Sequence, residues 1–255
     1  MHGFCPLASG SKGNSIYFGT KKTKILIDAG ISEKATRKKL EELEVELEEI
    51  QAILITHEHT DHIRGLKMLA LKRGIPVLTN SETAKANLST LPDCPKFKLF
   101  TTGSTFTFGD IEIHPFSIQH DAVDPVGFIL RVDGIKIGFC TDLGFATTLV
   151  KSHLRECDFL YLESNHQPSM VHASPRPMIY KQRVLGRSGH LSNEACAELL
   201  AEVFHPKLRH IHLAHLSGEC NSPQTALDTV RDKIGAEVKL SIAWQETIGE
   251  RTPFS

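Results

Sequence analysis

The chain has 255 residues, a formal net charge of −1, 40% hydrophobic residues and 23% charged residues. These values indicate a globular protein with a sizeable core, and the near-zero charge excludes a protein that coats nucleic acid over its whole surface. No apolar run is long enough to span a membrane and no secretory signal is visible, so we expect a cytoplasmic protein without a membrane segment.

The first part of the chain is predicted to mix strands and helices. Short apolar runs predict strands over 4–7, 15–18, 24–27, 51–56 and 76–79. Helices are predicted over 33–43, with Ser32 as the cap, and over 63–73 and 81–88. A β-rich stretch follows, with strands over 105–108, 111–118, 126–132 and 135–140. Between the last two strands, Asp133-Gly134 predicts a hairpin turn.

The second part of the chain is predicted to alternate strands and helices. The strands cover 159–163, 210–214 and 238–243, and the helices cover 193–203 and 223–233. We therefore predict an α/β fold in a single domain over 1–255, with two mixed sheets face to face and helices outside. The six cysteines include no Cys-x-x-Cys pair, so they are predicted to be reduced and mostly buried.

The most informative segment is 56–62, which places His57, His59, Asp61 and His62 directly after the apolar run 52–55. Imidazoles at the end of a buried strand are costly unless their nitrogens have partners. Because neutral imidazole is the commonest metal ligand, the cluster predicts a metal site that could serve two adjacent metals. The alternative is a polar turn with capping residues.

Four further residues of ligand type follow apolar strands, namely Asp28, His120, Asp142 and His215. Strand ends gather active-site residues because a rigid sheet positions the loops that follow its strands. Each residue alone has another explanation, since a strand-terminal aspartate often caps a turn and a lone histidine is often structural. Together with segment 56–62, all four are better explained by one site.

The pattern His-x-His-x-Asp-His, with the later histidines and aspartate, resembles the metallo-β-lactamase superfamily. The resemblance covers the whole chain and implies a four-layer αββα sandwich that holds two divalent metal ions. The implied ligands are His57, His59 and His120 for one metal, Asp61, His62 and His215 for the other, and Asp142 as a bridge. Asp28 would orient a ligand histidine. The metals would supply a bridging hydroxide, and the donor set admits zinc, manganese or iron.

Three segments, 9–14, 188–193 and 213–217, resemble the WalJ-like (YycJ-like) branch of this superfamily. That branch is of the 5′–3′ DNA exonuclease type and is related to ribonuclease Z. Two positions depart from its pattern, because an acidic residue is expected where Gln167 stands and an asparagine where Cys220 stands. These departures concern substrate preference rather than the metal ligands.

The branch also implies roles for residues outside the metal ligands. In related nucleases the histidine that matches His190 contacts the scissile phosphate, so His190 is predicted to stabilise charge or protonate the leaving oxygen. The alternative is a loop histidine bonded to the backbone. Asp61 and Asp142 are predicted to act in catalysis, and Asn14 and Asn165 to support the site or contact substrate. The loop 9–14 either presents its N–H groups to a terminal phosphate or forms a tight turn.

An acid-free stretch that contains Arg176, Lys181, Arg183 and Arg187 leads into His190. It either holds a nucleic-acid backbone or is a solvated face. The residues predict a dinuclear metal-dependent hydrolase, and the resemblance implies a phosphodiesterase that acts on nucleic acid, with DNA attacked from a 5′ end. The alternatives are a thioester or small cyclic phosphodiester hydrolase, and a non-catalytic metal-binding regulatory protein. The oligomeric state stays open.

Overall fold

The structure, a computed structural model, describes residues 1–90 and 97–254. The strands are β1 (Gly3–Ala8), β2 (Ser15–Gly19), β3 (Lys24–Ile27), β4 (Ala52–Leu54), β5 (Val77–Asn80), β6 (Phe97–Phe100), β7 (Phe106–Phe108), β8 (Ile111–Ser117), β9 (Val126–Val132), β10 (Ile135–Cys140), β11 (Phe159–Glu163), β12 (His210–Ala214), β13 (Lys239–Ile242) and β14 (Thr252–Pro253). The helices are α1 (Glu33–Glu41), α2 (Thr60–Ile63), α3 (Ser81–Thr90), α4 (Thr148–Leu154), α5 (Pro168–Ala173), α6 (Met178–Leu185), α7 (Asn193–Val203) and α8 (Pro223–Ile234).

The strands form two seven-stranded mixed sheets. The first has the order β14-β1-β2-β3-β4-β5-β6, and the second has the order β13-β12-β11-β10-β9-β8-β7. Strands β3 to β6 are parallel to one another, as are β10 to β13. Because the carboxyl ends of parallel strands lie at one edge of a sheet, each sheet gathers the loops that follow these strands.

The chain divides into two compact units, 1–115 with 122–126 and 244–255, and 116–121 with 127–243. Each unit has its own apolar core. Leu26, Ile53 and Val77 lie in the core of the first unit. Leu160, Leu200 and Ile211 lie in that of the second. The single domain over 1–255 stays a prediction.

The predicted hairpin turn at Asp133-Gly134 is confirmed. Val132 and Ile135 pair across antiparallel β9 and β10, so only two residues form the loop. Both have positive φ, 51° and 79°, which a type I′ turn requires and which aspartate and glycine tolerate. The cap predicted at Ser32 is also confirmed, because its hydroxyl accepts a hydrogen bond from the Ala35 N–H in the first turn of α1. Ser192 caps α7 in the same way.

The predicted helix over 63–73 is wrong as a continuous α-helix. Helix α2 ends at Ile63, and a stretch of π-helix covers Lys67–Lys72. Between them, the Gly65 N–H donates to the Ala29 carbonyl at 2.7 Å, and a Cβ at Gly65 would overlap the Ile31 carbonyl oxygen. The backbone at Gly65 therefore bonds to the loop after β3 instead of continuing a helix.

The second unit contains helices that the sequence analysis did not predict, namely α4, α5 and α6. Prolines are typical of loops, and three lie at 168, 175 and 177, but Pro168 occupies the first turn of α5, where a missing N–H costs nothing. Five cysteines are buried and unbridged, Cys5, Cys140, Cys157, Cys196 and Cys220, and Cys94 lies outside the described residues. Within 1–90 and 97–254, no helix is long and apolar enough to cross a membrane.

Candidate active site

In the first unit, the loops after β3 and β4 are joined by Asp28. Ile27 and Leu54 pair in the parallel ladder, so the residues that follow them come together. The Asp28 carboxylate accepts a hydrogen bond from the Thr56 N–H at 2.9 Å and another from the Thr56 hydroxyl at 2.9 Å. Asp28 thus holds the start of the histidine-rich segment 56–62 against the end of the neighbouring strand.

The same carboxylate orients two buried imidazoles. His62 Nδ1 lies 2.7 Å from Asp28 Oδ2, and a carboxylate only accepts, so this nitrogen carries the proton. The single Thr56 hydroxyl proton goes to Asp28, so the Thr56 oxygen accepts from His57 Nδ1 at 3.0 Å. In both neutral rings Nε2 is then the unprotonated nitrogen, which is the form that coordinates a metal.

Asn14, Asp61 and His59 complete this first set of predicted residues. The Asn14 side-chain amide lies 3.2 Å from Asp61 Oδ2 and 3.0 Å from His62 Nε2. Its carbonyl accepts the Gly10 N–H at 2.7 Å, which fixes the amide. The His59 ring lies 4.7 Å from the His57 ring, centroid to centroid. The first unit therefore gathers the predicted Asn14, Asp28, His57, His59, Asp61 and His62.

The loop 9–14 is a tight turn. Its N–H groups at Ser9, Lys12 and Gly13 donate to Trp244, Gln245 and Gly10, respectively. These N–H groups already have acceptors inside the protein, which favours the turn over the phosphate-binding alternative.

Gly30 allows the close approach that holds Asn14 near Asp61. Its N–H donates to the Asn14 carbonyl at 2.8 Å, and a Cβ there would overlap the Asp61 carbonyl oxygen and the Asn14 nitrogen. We expect Gly30→Ala to lower the free energy of unfolding by about 3 kcal/mol, because backbone atoms must move apart. The control is Gly218→Ala, where a Cβ would meet no atom. Equal denaturant midpoints for the two variants would contradict this role.

In the second unit, Glu163 connects two histidines with two loops. Its Oε1 lies 2.9 Å from His190 Nδ1 and 2.8 Å from His215 Nδ1. Its Oε2 accepts the N–H groups of Leu143 and Leu191 at 2.8 and 3.0 Å. Burial alone would raise the pKa of this carboxyl, but the charges and hydrogen bonds of the two histidines lower the pKa to about 2. Glu163 therefore fixes Nδ1 as the protonated nitrogen of both rings.

Glu163 was not predicted to belong to the site. A usable signal was present, since Glu163 ends the apolar strand β11 as Asp28 and Asp142 follow apolar strands. Its function as the shared acceptor depends on loops that begin at 141 and 186, which are distant in the sequence.

Asp142 lies among three histidines of the second unit. Its Oδ1 is 3.3 Å from His215 Nδ1, 3.7 Å from His120 Nε2 and 3.7 Å from His190 Nδ1. Burial lowers the pKa of His120, and the Asp142 charge partly opposes that shift. Ligand-type atoms of Asp142, Glu163, His190 and His215 all lie within 4.8 Å of one another. The second unit therefore gathers the predicted His120, Asp142, His190 and His215.

His120 is oriented by the backbone of the His190 loop. Its Nδ1 lies 3.1 Å from the Gly189 carbonyl oxygen, which only accepts, so Nδ1 carries the proton and Nε2 is left able to coordinate a metal. The Asn165 side-chain amide donates a hydrogen bond to the His215 carbonyl at 2.6 Å, so it connects the loop after β11 with the loop after β12.

Three predicted site residues have left-handed backbone conformations. Asp28, Asp142 and His215 have φ of 60°, 57° and 55°, and each follows a strand by one or two residues. This region costs about 1–2 kcal/mol for residues other than glycine. Strain of this kind collects at functional sites because the surrounding structure enforces it.

The two departures from the branch pattern lie at or next to a network of side-chain amides that joins Gln167, Asn193 and Asn221. Gln167 Oε1 accepts from the Asn193 amide at 3.1 Å, a contact that an acidic side chain would also make. Cys220 is buried, and the neighbouring Asn221 donates to the Ser164 and Asn165 carbonyls at 2.9 and 3.0 Å. Neither position contacts a predicted metal ligand with its side chain.

The donor set fits divalent metal ions. Five imidazoles use Nδ1 to donate to a carboxylate, hydroxyl or carbonyl oxygen: His57, His62, His120, His190 and His215. An acceptor on one ring nitrogen is typical of metal-binding histidines, because it sets the tautomer and raises the basicity of the other nitrogen. Mixed imidazole and carboxylate donors suit zinc, manganese and iron.

Comparisons with known proteins identify the family of this chain and agree with its fold. Residues 23–213 match the β-lactamase superfamily domain, and the chain belongs to the β-lactamase superfamily. The chain is 38% identical to exodeoxyribonuclease YycJ of Bacillus anthracis over 226 residues, which cover 88% of this chain and 85% of that protein. It is 36% identical to exodeoxyribonuclease WalJ of Streptococcus pneumoniae over 251 residues, with coverage of 97% and 93%.

The fold also matches a solved structure. The metallo-β-lactamase fold protein YhfI from Bacillus subtilis superposes with a TM-score of 0.74 at 14% identity, with 98% of each chain covered. These findings confirm the predicted superfamily, its WalJ-like branch and the α/β sandwich of the metallo-β-lactamase fold. The predicted class of enzyme, a metal-dependent hydrolase, is confirmed by the same relatives.

Proposed function

We propose that this chain is a metal-dependent DNA exonuclease that degrades a strand from its 5′ end. The observation that carries the proposal is the common orientation of the five imidazoles, whose Nδ1 atoms all have acceptors. The substrate class is supported by two relatives of similar length that are named exodeoxyribonucleases. The predicted cytoplasmic location agrees with a DNA substrate.

The proposal assigns two divalent ions to the predicted ligands. His57, His59 and His120 would hold one ion, Asp61, His62 and His215 the other, and Asp142 would contact both. When bound, such ions would neutralise charge on a phosphodiester. They would also lower the pKa of a water, so that a hydroxide nucleophile is available near neutral pH. Asp28 and Glu163 hold the imidazoles in the coordinating tautomer, and Asn14 holds the Asp61 carboxylate.

His190 is proposed to act on the leaving oxygen. Its Nδ1 donates to Glu163, so the ring can take a second proton at Nε2 while the buried carboxylate stabilises the imidazolium. An imidazolium Nε2–H is a donor of the kind that stabilises or protonates an oxygen on which charge develops. Glu163 would thus accept a hydrogen bond from both His190 and His215, but only His215 is a proposed metal ligand.

We expect His190→Ala to lower kcat by about 10²- to 10⁴-fold while the metal content stays unchanged. The matched control is His172→Ala, which removes an exposed imidazole from α5. Elemental analysis of each purified variant gives the metal content, and a single-turnover assay gives the rate. Metal lost from His190→Ala would show that His190 is a ligand instead.

The proposed function is tested on purified protein reconstituted with manganese or zinc. Duplex DNA labelled at its 5′ or 3′ end is incubated beside a thioester and a cyclic nucleotide, with and without a chelator. The proposal predicts chelator-sensitive release of nucleotides from the 5′ end. Cleavage of the thioester or the cyclic nucleotide without cleavage of DNA would contradict it.

A further inference from the structure

An aromatic ring and a guanidinium group are stacked at the surface of the second unit. Phe145 is 42% exposed, and the central carbon of the Arg187 guanidinium lies 4.2 Å from its ring centroid. At an exposed site such a contact contributes only about 0.5–1 kcal/mol. Fold stability alone therefore gives little reason for a phenylalanine at this position.

The pair lies close to the Asp142 and His190 loops. Phe145 is three residues after Asp142, and Arg187 is three residues before His190. The Gly144 N–H donates to the Gln119 carbonyl at 2.9 Å, and a Cβ at Gly144 would overlap the backbone of Arg187 and Gly189. The two loops are thus in backbone contact, and Phe145 and Arg187 extend from them together.

The distance from Phe145 and Arg187 to the predicted catalytic residues is comparable to the length of a few stacked nucleotides. Three residues span at most about 11 Å, which is about three base steps of a stacked strand at ~3.4 Å each. A strand whose scissile phosphate is at His190 would therefore have one of its terminal bases within reach of the Phe145 ring.

The basic segment that carries Arg187 suits a phosphate backbone, whereas Phe145 shares a surface pocket with Glu198 and with the Lys151–Glu202 ion pair. Residues 164–193 contain four cations and no acidic residue. Arg176 and Arg183 are paired with Glu219 and Asp121. Within the described ranges, Lys181 donates to the His172 carbonyl and Arg187 stacks on Phe145, and neither contacts a carboxylate. Arg187, which lies over the ring, and Lys181 on α6 are therefore not neutralised by an acid.

We propose that Phe145 and Arg187 form a stacking site for a nucleobase of single-stranded DNA, within three nucleotides of the cleaved bond. This inference rests on the proposed exonuclease function. Aromatic rings bind single strands by stacking on bases without regard to sequence, and arginine adds a cation–π contribution. The exposed side chains of Met178 and Ile179 on α6 offer no ring and are assigned no part in stacking.

The test compares 5′-phosphorylated oligonucleotides that differ by one base. One is intact, and three others each have a single abasic site at the first, second or third nucleotide. The manganese-reconstituted wild type is expected to lose about 5- to 150-fold in kcat/KM at one abasic position, the range that corresponds to one stacked base. Phe145→Leu should lose most of this discrimination, because it keeps an apolar side chain without a ring. Phe145→Trp should retain it.

The control variant is Leu149→Ala, which removes a side chain of similar exposure from α4 and should discriminate as the wild type does. Equal kcat/KM on intact and abasic strands in the wild type would overturn the stacking site but leave the exonuclease intact. The same holds if Phe145→Leu discriminates as well as the wild type. Failure of the wild type to cleave any oligonucleotide would instead overturn the exonuclease function on which the inference rests.

Discussion

Replacing Asp142 with asparagine is expected to reduce DNA hydrolysis by about 10³-fold or more and to lower the metal content. Asp142 is 2% exposed, and its Oδ1 lies within 3.7 Å of three histidines. An amide could not replace the carboxylate that is proposed to contact two cations, and the charge stabilisation that metals give phosphoryl transfer amounts to several kcal/mol.

Asparagine is a more specific test than alanine because it fits the backbone conformation at position 142. Asp142 has a φ of 57°, a region that asparagine tolerates better than most residues other than glycine. Asp142→Asn should therefore unfold near the wild-type temperature, whereas Asp142→Ala combines loss of the carboxylate with backbone strain. The control is Asp133→Asn, which makes the same change at a left-handed position in the β9–β10 turn. An Asp142→Asn enzyme as active as this control would contradict the proposed role.

The second large effect is expected at Glu163. Glu163→Gln should lower the free energy of unfolding by about 3 kcal/mol, because a buried carboxylate that accepts from four N–H groups is replaced by an amide. In either orientation the new NH₂ group faces N–H donors. Activity should also fall by about 10- to 100-fold, since the orientation of His190 and His215 is lost.

The matched control is Glu198→Gln, the same substitution at an exposed position of α7, which should change stability by less than about 0.5 kcal/mol. Chemical denaturation of the two variants in parallel measures the difference. If Glu163→Gln unfolds at the same denaturant concentration as Glu198→Gln, the four hydrogen bonds do not contribute as described.

Much of the site was predictable from local sequence. The histidine-rich segment 56–62 and the residues that follow strands at 28, 142 and 215 need only short patterns for their recognition. Asp28, Asp142 and His215 share a left-handed backbone that no local pattern reveals, because the loops around each residue enforce it. The family and fold followed from these motifs and were confirmed by the relatives.

Other features depend on contacts between distant parts of the chain. Glu163 is central because loops beginning near 143 and 190 converge on it, which periodicity within β11 cannot show. The helix expected over 63–73 is interrupted because Gly65 bonds to Ala29, more than 30 residues earlier. Helices α5 and α6 were missed because their prolines, which indicate loops in isolation, lie at helix starts.

The most direct test is the number of divalent ions that the purified chain retains after reconstitution with manganese or zinc and removal of excess metal. Elemental analysis is expected to give two ions per chain, with fewer in Asp142→Asn and two in His190→Ala. Nuclease activity should rise with the metal content and disappear with a chelator. A chain that retains no divalent ion, or that degrades DNA equally well after complete chelation, would contradict the central claim.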